Sequence, residues 1–238
     1  MSDSAASLFE QFLYGDSANL DRVNKAIAES EPETLYLDFK RNASGGAVNA
    51  KPTDHTKEHL SRTVSAFANT EGGLIVWGVE SKDGSANRGE PIPAIRDFVQ
   101  EINTLTASST TPIVAGVRTV WIEAESAEGH GFAVTYVPRS STPPHQATVP
   151  KVKNYWMRSG SNCVVMEHRF IRALFEQRAH PAIDVRVSSP HYHIDHDNGQ
   201  IAIFEVALRN VGEAIVREPA IAVSAGPFVS LRGLGMEA

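Results

Sequence analysis

Two acids and a lysine near the N-terminus, Glu33, Asp38 and Lys40, have the types and spacing that metal-dependent phosphate chemistry needs. Asp38 and Lys40 are two residues apart in a β-prone run, so their side chains project from the same face of a strand. Carboxylates can hold Mg²⁺ or Mn²⁺, which activates water and offsets charge on a phosphate. Lys40 would neutralise part of that charge. A surface ion pair is the alternative explanation of this spacing.

A second group of candidate residues lies at the end of a helix, in the run AFANTEGG at residues 66–73. The two glycines allow the backbone to come close to a ligand, a phosphate or another strand. Asn69 and Thr70 are therefore candidate nucleic-acid contacts. The alternative is a glycine cap that leads into a strand and needs no ligand.

Glu80 follows the apolar strand of residues 74–79, and functional groups of open α/β folds tend to lie at such strand ends. It is the candidate third carboxylate beside Glu33 and Asp38, with Asp83 as a substitute. The alternative for Glu80 is a solvated turn acid, since Asp83-Gly84 is a typical turn.

The charges are unevenly distributed, although the net charge of the 238-residue chain is −6. Residues 1–38 contain eight acids and two bases, whereas residues 139–180 contain seven bases and two acids. Lys151, Lys153 and Arg158 in the basic segment are predicted to position backbone phosphates. A chance fluctuation on a solvated surface remains an alternative.

The apolar periodicity predicts a mixed α/β domain at residues 1–180, with two N-terminal helices within residues 1–30. Leu60, Val64 and Phe67 give the helix of residues 56–69 a buried face, and residues 74–79 read as a central strand buried on both sides. Phe170 and Leu174 are expected to point inward from a helix at residues 166–178. The further predicted elements are helices at residues 5–13, 19–29 and 94–106 and strands at residues 35–39, 114–123, 132–137 and 155–158.

Residues 181–238 have a different texture, with short alternating apolar runs separated by turns. This pattern predicts a small all-β unit of the immunoglobulin-like sandwich type, which is short for seven strands. The sequence DVRVSSPHYHIDHD at residues 184–197 includes His191, His193 and His196. A solvated hairpin tip is favoured over a zinc or nickel site for these histidines. His145 is expected to be an ordinary surface histidine.

The composition is that of a globular protein, and its lone cysteine excludes an internal disulfide and any zinc site that needs several thiolates. No apolar run reaches about 18 residues, and the first residues lack the pattern of a secretory leader. A cytoplasmic location is therefore expected. The sequence contains no Walker A pattern, so nothing in it supports ATP hydrolysis.

Together, the step from Glu33 to Asp38-Phe39-Lys40, the AFANTEGG run, the strand that ends Gly78-Val79-Glu80, and residues 155–162 resemble one family. The sequence is identified as a member of the Schlafen-type AlbA family over residues 31–178. This resemblance implies a Schlafen-core mixed sheet with flanking helices.

The resemblance also implies a metal-dependent endoribonuclease acting on structured RNA such as tRNA, in bacterial defence or stress. Its metal, Mg²⁺ or Mn²⁺, would be held by three acids that match Glu33, Asp38 and Glu80. Asp38 is shorter than the family's usual glutamate, and Ser81 follows Glu80 where a second acid is common. Family members with two lobes form a clamp, so a single lobe implies a homodimer.

Two other functions remain open on the sequence alone. One is a noncatalytic nucleic-acid-binding or transcriptional regulatory module, although no helix-turn-helix unit is evident. The other is a nucleotide-binding sensor, in which the turn at residues 69–73 would bind the nucleotide and the β-rich unit a protein.

Overall fold

The computed structural model of the protein describes residues 4–14, 19–44, 47–125, 127–176, 183–194 and 200–212. The chain divides into two compact units, Met1–Arg178 and Ala179–Ala238. None of the described helices is long and apolar enough to cross a membrane.

The described residues of the first unit form five α-helices, one short 3-10 helix and twelve strands. The helices are α1 Ser4–Tyr14, α2 Asn19–Ala28, α3 Asp54–Ala68, α4 Ile95–Thr106 and α5 His168–Glu176, and the 3-10 helix is Pro150–Val152. The strands are β1 Leu37–Lys40, β2 Ala43–Ser44, β3 Ala47–Val48, β4 Gly73–Trp77, β5 Val79–Lys82, β6 Ser85–Gly89, β7 Thr110–Thr111, β8 Arg118–Glu123, β9 Gly131–Val137, β10 Gln146–Ala147, β11 Trp156–Ser159 and β12 Asn162–Val165.

The centre of this unit is a mixed four-stranded sheet with the order β1-β4-β9-β8. β1 runs parallel to β4, whereas the β4–β9 and β9–β8 pairs are antiparallel. Every residue of β4 and β9 is buried, as expected for strands that are covered on both faces. The predictions of a mixed sheet with flanking helices and of a fully buried strand near residues 74–79 are confirmed.

Helices cover both faces of the sheet. One face packs against α1 and α2 and includes Leu37 and Phe39 of β1. The other face packs against α3 and α4 and includes Ile75 and Trp77 of β4. Since Asp38 and Lys40 pair with Ile75 and Trp77 in register, the strand's alternation directs them to the α3 side.

The structure departs from the local expectations at three places. The sequence indicated only a turn at Asp83-Gly84, but β5 and β6 form an antiparallel hairpin with these two residues in its turn. β12 was not predicted at all. α5 has no buried residue, and Phe170, which was expected to point inward, is 41% exposed. The pattern shows that α5 is amphipathic, but it does not show whether a neighbour covers the apolar side.

The described residues of the second unit form four strands, β13 Ile183–Val187, β14 His191–Ile194, β15 Gln200–Ile203 and β16 Val206–Asn210. β13 pairs with β16 and β14 pairs with β15, both antiparallel. These described strands make two small ladders and not two stacked sheets. The predicted sandwich therefore is not shown, and residues 195–199 and 213–238 lie outside the described residues.

Candidate functional site

The structure brings Glu33, Asp38 and Lys40 together at β1. Nζ of Lys40 lies 2.9 Å from Oδ2 of Asp38 and 3.2 Å from Oε1 of Glu33. The same Glu33 oxygen accepts a hydrogen bond from the backbone N–H of Phe39 at 3.1 Å. The contact of Lys40 with Asp38 is an ion pair without hydrogen-bond geometry, since Oδ2 of Asp38 has no hydrogen-bond partner. One lysine thus joins the two acids that the sequence singled out.

Arg158 contacts Asp38 from the opposite side. Its Nη1 donates to Oδ1 of Asp38 at 3.1 Å, and its Nη2 donates to the carbonyl of Thr34 at 2.6 Å and that of Leu37 at 3.3 Å. The guanidinium carbon lies 4.9 Å from the centre of the Phe67 ring. The side chain of Arg158 is 1% exposed and that of Asp38 is 4% exposed. The guanidinium of Arg158 is therefore buried and faces partners inside the chain, and its contact with a substrate phosphate stays a prediction.

Thr70 and Asn69 hold the strand that carries Arg158. Oγ1 of Thr70 donates to the carbonyl of Ala66 at 2.8 Å and accepts from the backbone N–H of Arg158 at 3.0 Å. The amide nitrogen of Asn69 donates to the carbonyls of His145 and Trp156, and its oxygen accepts from the N–H of His145 at 2.7 Å. Contacts inside the chain account for both side chains, and their proposed contact with nucleic acid stays a prediction.

The two glycines of this turn are explained by close packing. α3 ends at Ala68 with Asn69 as its C-cap in the right-handed region, so the predicted left-handed glycine does not cap the helix itself. Gly72 has a φ of +75° and its N–H donates to the carbonyl of Phe67 at 2.9 Å, so the left-handed glycine closes the turn that follows α3. A Cβ on Gly73 would lie 2.3 Å from a carbon of the Phe67 ring. The Phe67 ring therefore fills the space that a side chain at position 73 would need.

Glu80 belongs to a different group of ion pairs. Its Oε1 lies 3.2 Å from Nη1 of Arg41, and its Oε2 lies 3.6 Å from Nη2 of Arg88. Glu90 contacts the same two arginines. Because Asp38 is paired with Lys40 and Arg158, the two acids have no cation in common among these ion pairs. Asp83, the substitute third acid, is exposed in the β5–β6 turn.

The arrangement of Glu33, Asp38 and Glu80 does not fit a shared metal ion. A hard cation needs several carboxylate or carbonyl oxygens around one point. Across the described ranges, no group of three or more His, Cys, Asp or Glu side chains is placed to hold a metal. Chain cations contact Asp38 and Glu80 instead, and Lys40 lies where an ion shared by Glu33 and Asp38 would be expected.

The sequence of this domain matches the model of a known protein family. The model of the Schlafen, AlbA_2 family matches residues 33–167, which is more than half of the chain. The chain belongs to the Schlafen AlbA_2 family. The matched stretch begins at Glu33 and includes Asp38, Glu80 and Arg158, so both ion-pair groups lie inside the Schlafen domain.

No curated protein matches the chain. Among solved structures, the DIP2311 protein from Corynebacterium diphtheriae matches with a TM-score of 0.43 and 19% identity, over 71% of this chain and 34% of that one. This chain thus spans about a third of the length of that protein. The N-terminal domain of a RecG-related protein from Nitrosomonas europaea matches with a TM-score of 0.40 and 19% identity, over 62% of this chain and 94% of that domain.

The two lysines predicted to contact phosphate lie near the 3-10 helix of the Schlafen domain. Nζ of Lys151 lies 2.8 Å from Oε1 of Glu58, and this carboxylate raises the pKa of Lys151. Its side chain is still 77% exposed. Lys153 is exposed, and no ion pair with it occurs within the described part of the chain. Phosphate contact by these two lysines stays a prediction.

His145 is not the surface residue that was expected. It is 1% exposed, its Nδ1 donates to the carbonyl of Pro112 at 2.8 Å, and its Nε2 lies 2.7 Å from Oγ of Ser140. Burial lowers the pKa of His145. The imidazole is a structural link between loops of the Schlafen domain. The histidine-rich stretch of the second unit is described only in part, and residues 195–199 lie outside it.

Sequence reasoning missed a polar group on α3 of the Schlafen domain, formed by His55, His59 and Arg62. Nη2 of Arg62 lies 2.6 Å from Nδ1 of His59, and Nε2 of His59 lies 3.1 Å from Nε2 of His55. Burial lowers the pKa of His59 to about 3, with the charges of Arg62, Lys40 and His55 adding to the effect. The signal in the sequence was the spacing of four and three residues, which aligns polar side chains along one face of a helix.

Proposed function

We propose that the Schlafen domain of this protein binds nucleic acid without cutting it. The observation that carries the proposal is the environment of Asp38, whose two carboxylate oxygens each contact a cation of the chain in a buried position. A carboxylate held in this way maintains the fold and would have to give up its partners before it served a reaction. Asp38 and Arg158 therefore act as structural residues in this proposal.

Support for nucleic acid as the ligand comes from the family and from the cations on the surface. The family resemblance implies a nucleic-acid ligand. Lys153 is exposed, Lys151 is mostly exposed, and Arg62 contacts no carboxylate in the described ranges. The net charge of −6 opposes nonspecific binding by the whole surface, so a local group of cations would have to supply the attraction.

Binding to a labelled tRNA-like hairpin, measured by fluorescence anisotropy, tests this proposal. We expect the affinity of the full chain to fall steeply between about 50 and 200 mM salt, because phosphate contacts release counterions. Lys153→Glu should weaken binding, whereas Lys25→Glu, an exposed charge reversal on α2, should not. Absence of binding at the lower salt concentration would contradict the proposal.

Metal-dependent cleavage of tRNA-like RNA is the second candidate function. The observation in its favour is that Glu33, Asp38 and Lys40 meet at one point, at positions that the family resemblance assigns to catalysis. Mg²⁺ or Mn²⁺ would supply a Lewis acid there only once Lys40 had left its position between Glu33 and Asp38. Lys40 would contribute a positive charge beside a phosphate, and Glu33, which is less buried than Asp38, is the more accessible acid.

Incubation of the full chain with tRNA and Mn²⁺ decides between binding and cleavage. Asp38→Ala is the direct variant, and Glu33→Gln is the safer one, because it keeps the size of the side chain and leaves the Asp38–Arg158 pair in place. Glu71→Gln, which changes an exposed acid, is the matched control. Equal cutting of the RNA by wild type, Asp38→Ala and Glu33→Gln would show that these two acids take no part in the reaction.

Two further expectations stay proposals. A homodimer would bring two Schlafen domains together into a larger groove, and the molar mass from light scattering tests it.

A nucleotide-sensor role would require space at the turn of Asn69–Gly73, where Phe67 and backbone already lie close to the glycines. A nucleotide that raised the melting temperature would support that role.

A further inference from the structure

His55, His59 and Arg62 lie along one side of α3, and neither the ion pairs of Asp38 nor the family motif uses them. Their hydrogen bonds run in one direction along the helix. A guanidinium nitrogen can only donate, so Nδ1 of His59 accepts the hydrogen bond from Arg62. The neutral His59 ring then carries its proton on Nε2, and this N–H donates to Nε2 of His55. The two hydrogen bonds therefore form a chain from Arg62 through His59 to the exposed His55.

Arg62 lacks the partner that a guanidinium normally has. Its contacts in the described part of the chain are the neutral ring of His59 and the face of Trp156, 5.6 Å from its guanidinium carbon. Its Nε is buried without a hydrogen-bond partner. The arginine of α4, Arg96, is a useful contrast, since it lies 5.7 Å from the Trp121 ring but also pairs with Glu123. Arg62 thus has the aromatic support of Arg96 without the anion.

The ring of His59 is neutral in this environment. Burial is the largest cause of its lowered pKa, and the charges of Arg62, Lys40 and His55 add to the effect. Lys40 is already paired with Glu33 and Asp38, whereas Arg62 contacts no carboxylate within the described ranges. An anion at this position would therefore give Arg62 the counterion that it lacks there.

We propose that Arg62 and His59 form a binding site for a backbone phosphate of nucleic acid. Arg62 would exchange its neutral acceptor, Nδ1 of His59, for a phosphate oxygen. Nδ1 of His59 would then take a proton from solvent and donate to the same phosphate, while its Nε2–H remains bonded to His55. The inference rests on the proposed function for the identity of the ligand, since free phosphate has the same chemistry.

The experiment compares RNA binding by the full-length wild type, Arg62→Gln and the matched control Arg96→Gln. We expect Arg62→Gln to weaken binding about tenfold and to lower the salt slope by about one, because one charge-assisted phosphate contact is lost. Arg96→Gln should bind like wild type, and Arg62→Lys should restore part of the affinity. Circular dichroism checks that each variant is folded.

A second measurement distinguishes failure of the proposed phosphate site from failure of the proposed function. Inorganic phosphate is titrated into ¹⁵N-histidine-labelled wild type and Arg62→Gln, and the ring signals of His59 are followed by NMR. We expect signals of a protonated ring to appear at a higher pH when phosphate is present, in wild type only.

If wild type binds RNA and Arg62→Gln binds equally well, the inference is overturned and the proposed function stands. If wild type binds no RNA, the proposed function fails, and the phosphate titration alone decides the site. A wild-type response to phosphate would then assign the site to free phosphate, and no response would overturn it. RNA binding that is weakened by Arg62→Gln but competed only by a large excess of inorganic phosphate identifies the backbone as the source.

Discussion

Nη1 of Arg158 lies 3.1 Å from Oδ1 of Asp38, although 120 residues separate them in the chain. The pair joins β1 of the central sheet to the β11–β12 hairpin, and Arg158 also donates to the carbonyls of Leu37, the first residue of β1, and of Thr34, which precedes the strand. Removal of one partner leaves the other charge buried without compensation, which typically costs about 3–5 kcal/mol.

We therefore expect Asp38→Ala and Arg158→Ala each to lower the free energy of unfolding by about that amount, roughly 3–5 kcal/mol. The double variant should lose less than the sum of the two single losses, because the second change removes the unpaired charge. Urea denaturation measures the free energy of unfolding of the two single variants and of the double variant. Arg172→Ala, which breaks the exposed Arg172–Glu176 pair of α5, should cost less than about 1 kcal/mol. A loss that small at Asp38 would show that the buried pair does not hold the hairpin.

The stability of the protein should depend on pH through His59. The folded state lowers the pKa of His59 from 6.5 to about 3, so protons bind more readily to the unfolded chain between these values. The contribution of His59 to the free energy of unfolding is fully present above pH 6.5 and is lost as the pH falls toward 3. The slope from this one group is at most about 1.4 kcal/mol per pH unit.

Urea midpoints measured at intervals over this pH range test the contribution of His59. His59→Gln should flatten the fall in stability. His145, whose pKa is also lowered, adds a contribution of the same sign, so it should keep part of the slope in the His59 variant. An unchanged slope in His59→Gln would show that His59 does not titrate in this way.

Gly73→Ala should destabilise the protein because the new Cβ would meet the Phe67 ring at 2.3 Å. Insertion of a methyl group into a packed core typically costs about 1–3 kcal/mol. Phe67→Leu in the same chain should recover part of the loss from Gly73→Ala, since it removes the ring that the methyl group meets. Thermal unfolding of the two single variants and the double variant measures this coupling. Purely additive losses would mean that the contact does not explain the glycine.

Thr70→Val should destabilise the end of α3, because it removes the acceptor of the Arg158 N–H and leaves that buried group unpaired. The expected loss is about 1–3 kcal/mol. Thr70→Ser keeps the hydroxyl and is the matched control, with a smaller loss expected. RNA affinity should be unchanged in the folded Thr70→Ser and Thr70→Val variants if the hydroxyl serves the fold. Weaker binding by folded Thr70→Val would support the predicted contact of Thr70 with nucleic acid.

Local patterns in the sequence predicted the parts of the fold that depend on one segment at a time. The apolar run of β4 predicted a strand buried on both faces, and the glycines after α3 predicted a left-handed residue in the turn that follows the helix. The alternation of β1 placed Asp38 and Lys40 on one face. Each of these features follows from backbone geometry within a few residues, so neighbouring residues are sufficient evidence.

The partners of charged side chains could not be predicted in the same way. The sequence grouped Glu80 with Asp38 as a metal ligand, and the basic segment of residues 139–180 suggested that Arg158 contacts a phosphate. In the folded chain Glu80 pairs with Arg41, and Arg158 is buried against Asp38. A long charged side chain can reach several partners, and the choice among them depends on which distant strands and helices pack together.

The sequence by itself determined the family, the strand that presents Asp38 and Lys40, and the turn that ends α3, because local periodicity and backbone conformation specify these features. Only the tertiary structure decided that Asp38 is held between Lys40 and Arg158, that Glu80 lies in another ion-pair group, and that Arg62 meets no anion among the described residues. The physical reason is that burial and charge pairing depend on contacts between segments far apart in the chain, which residue spacing does not record.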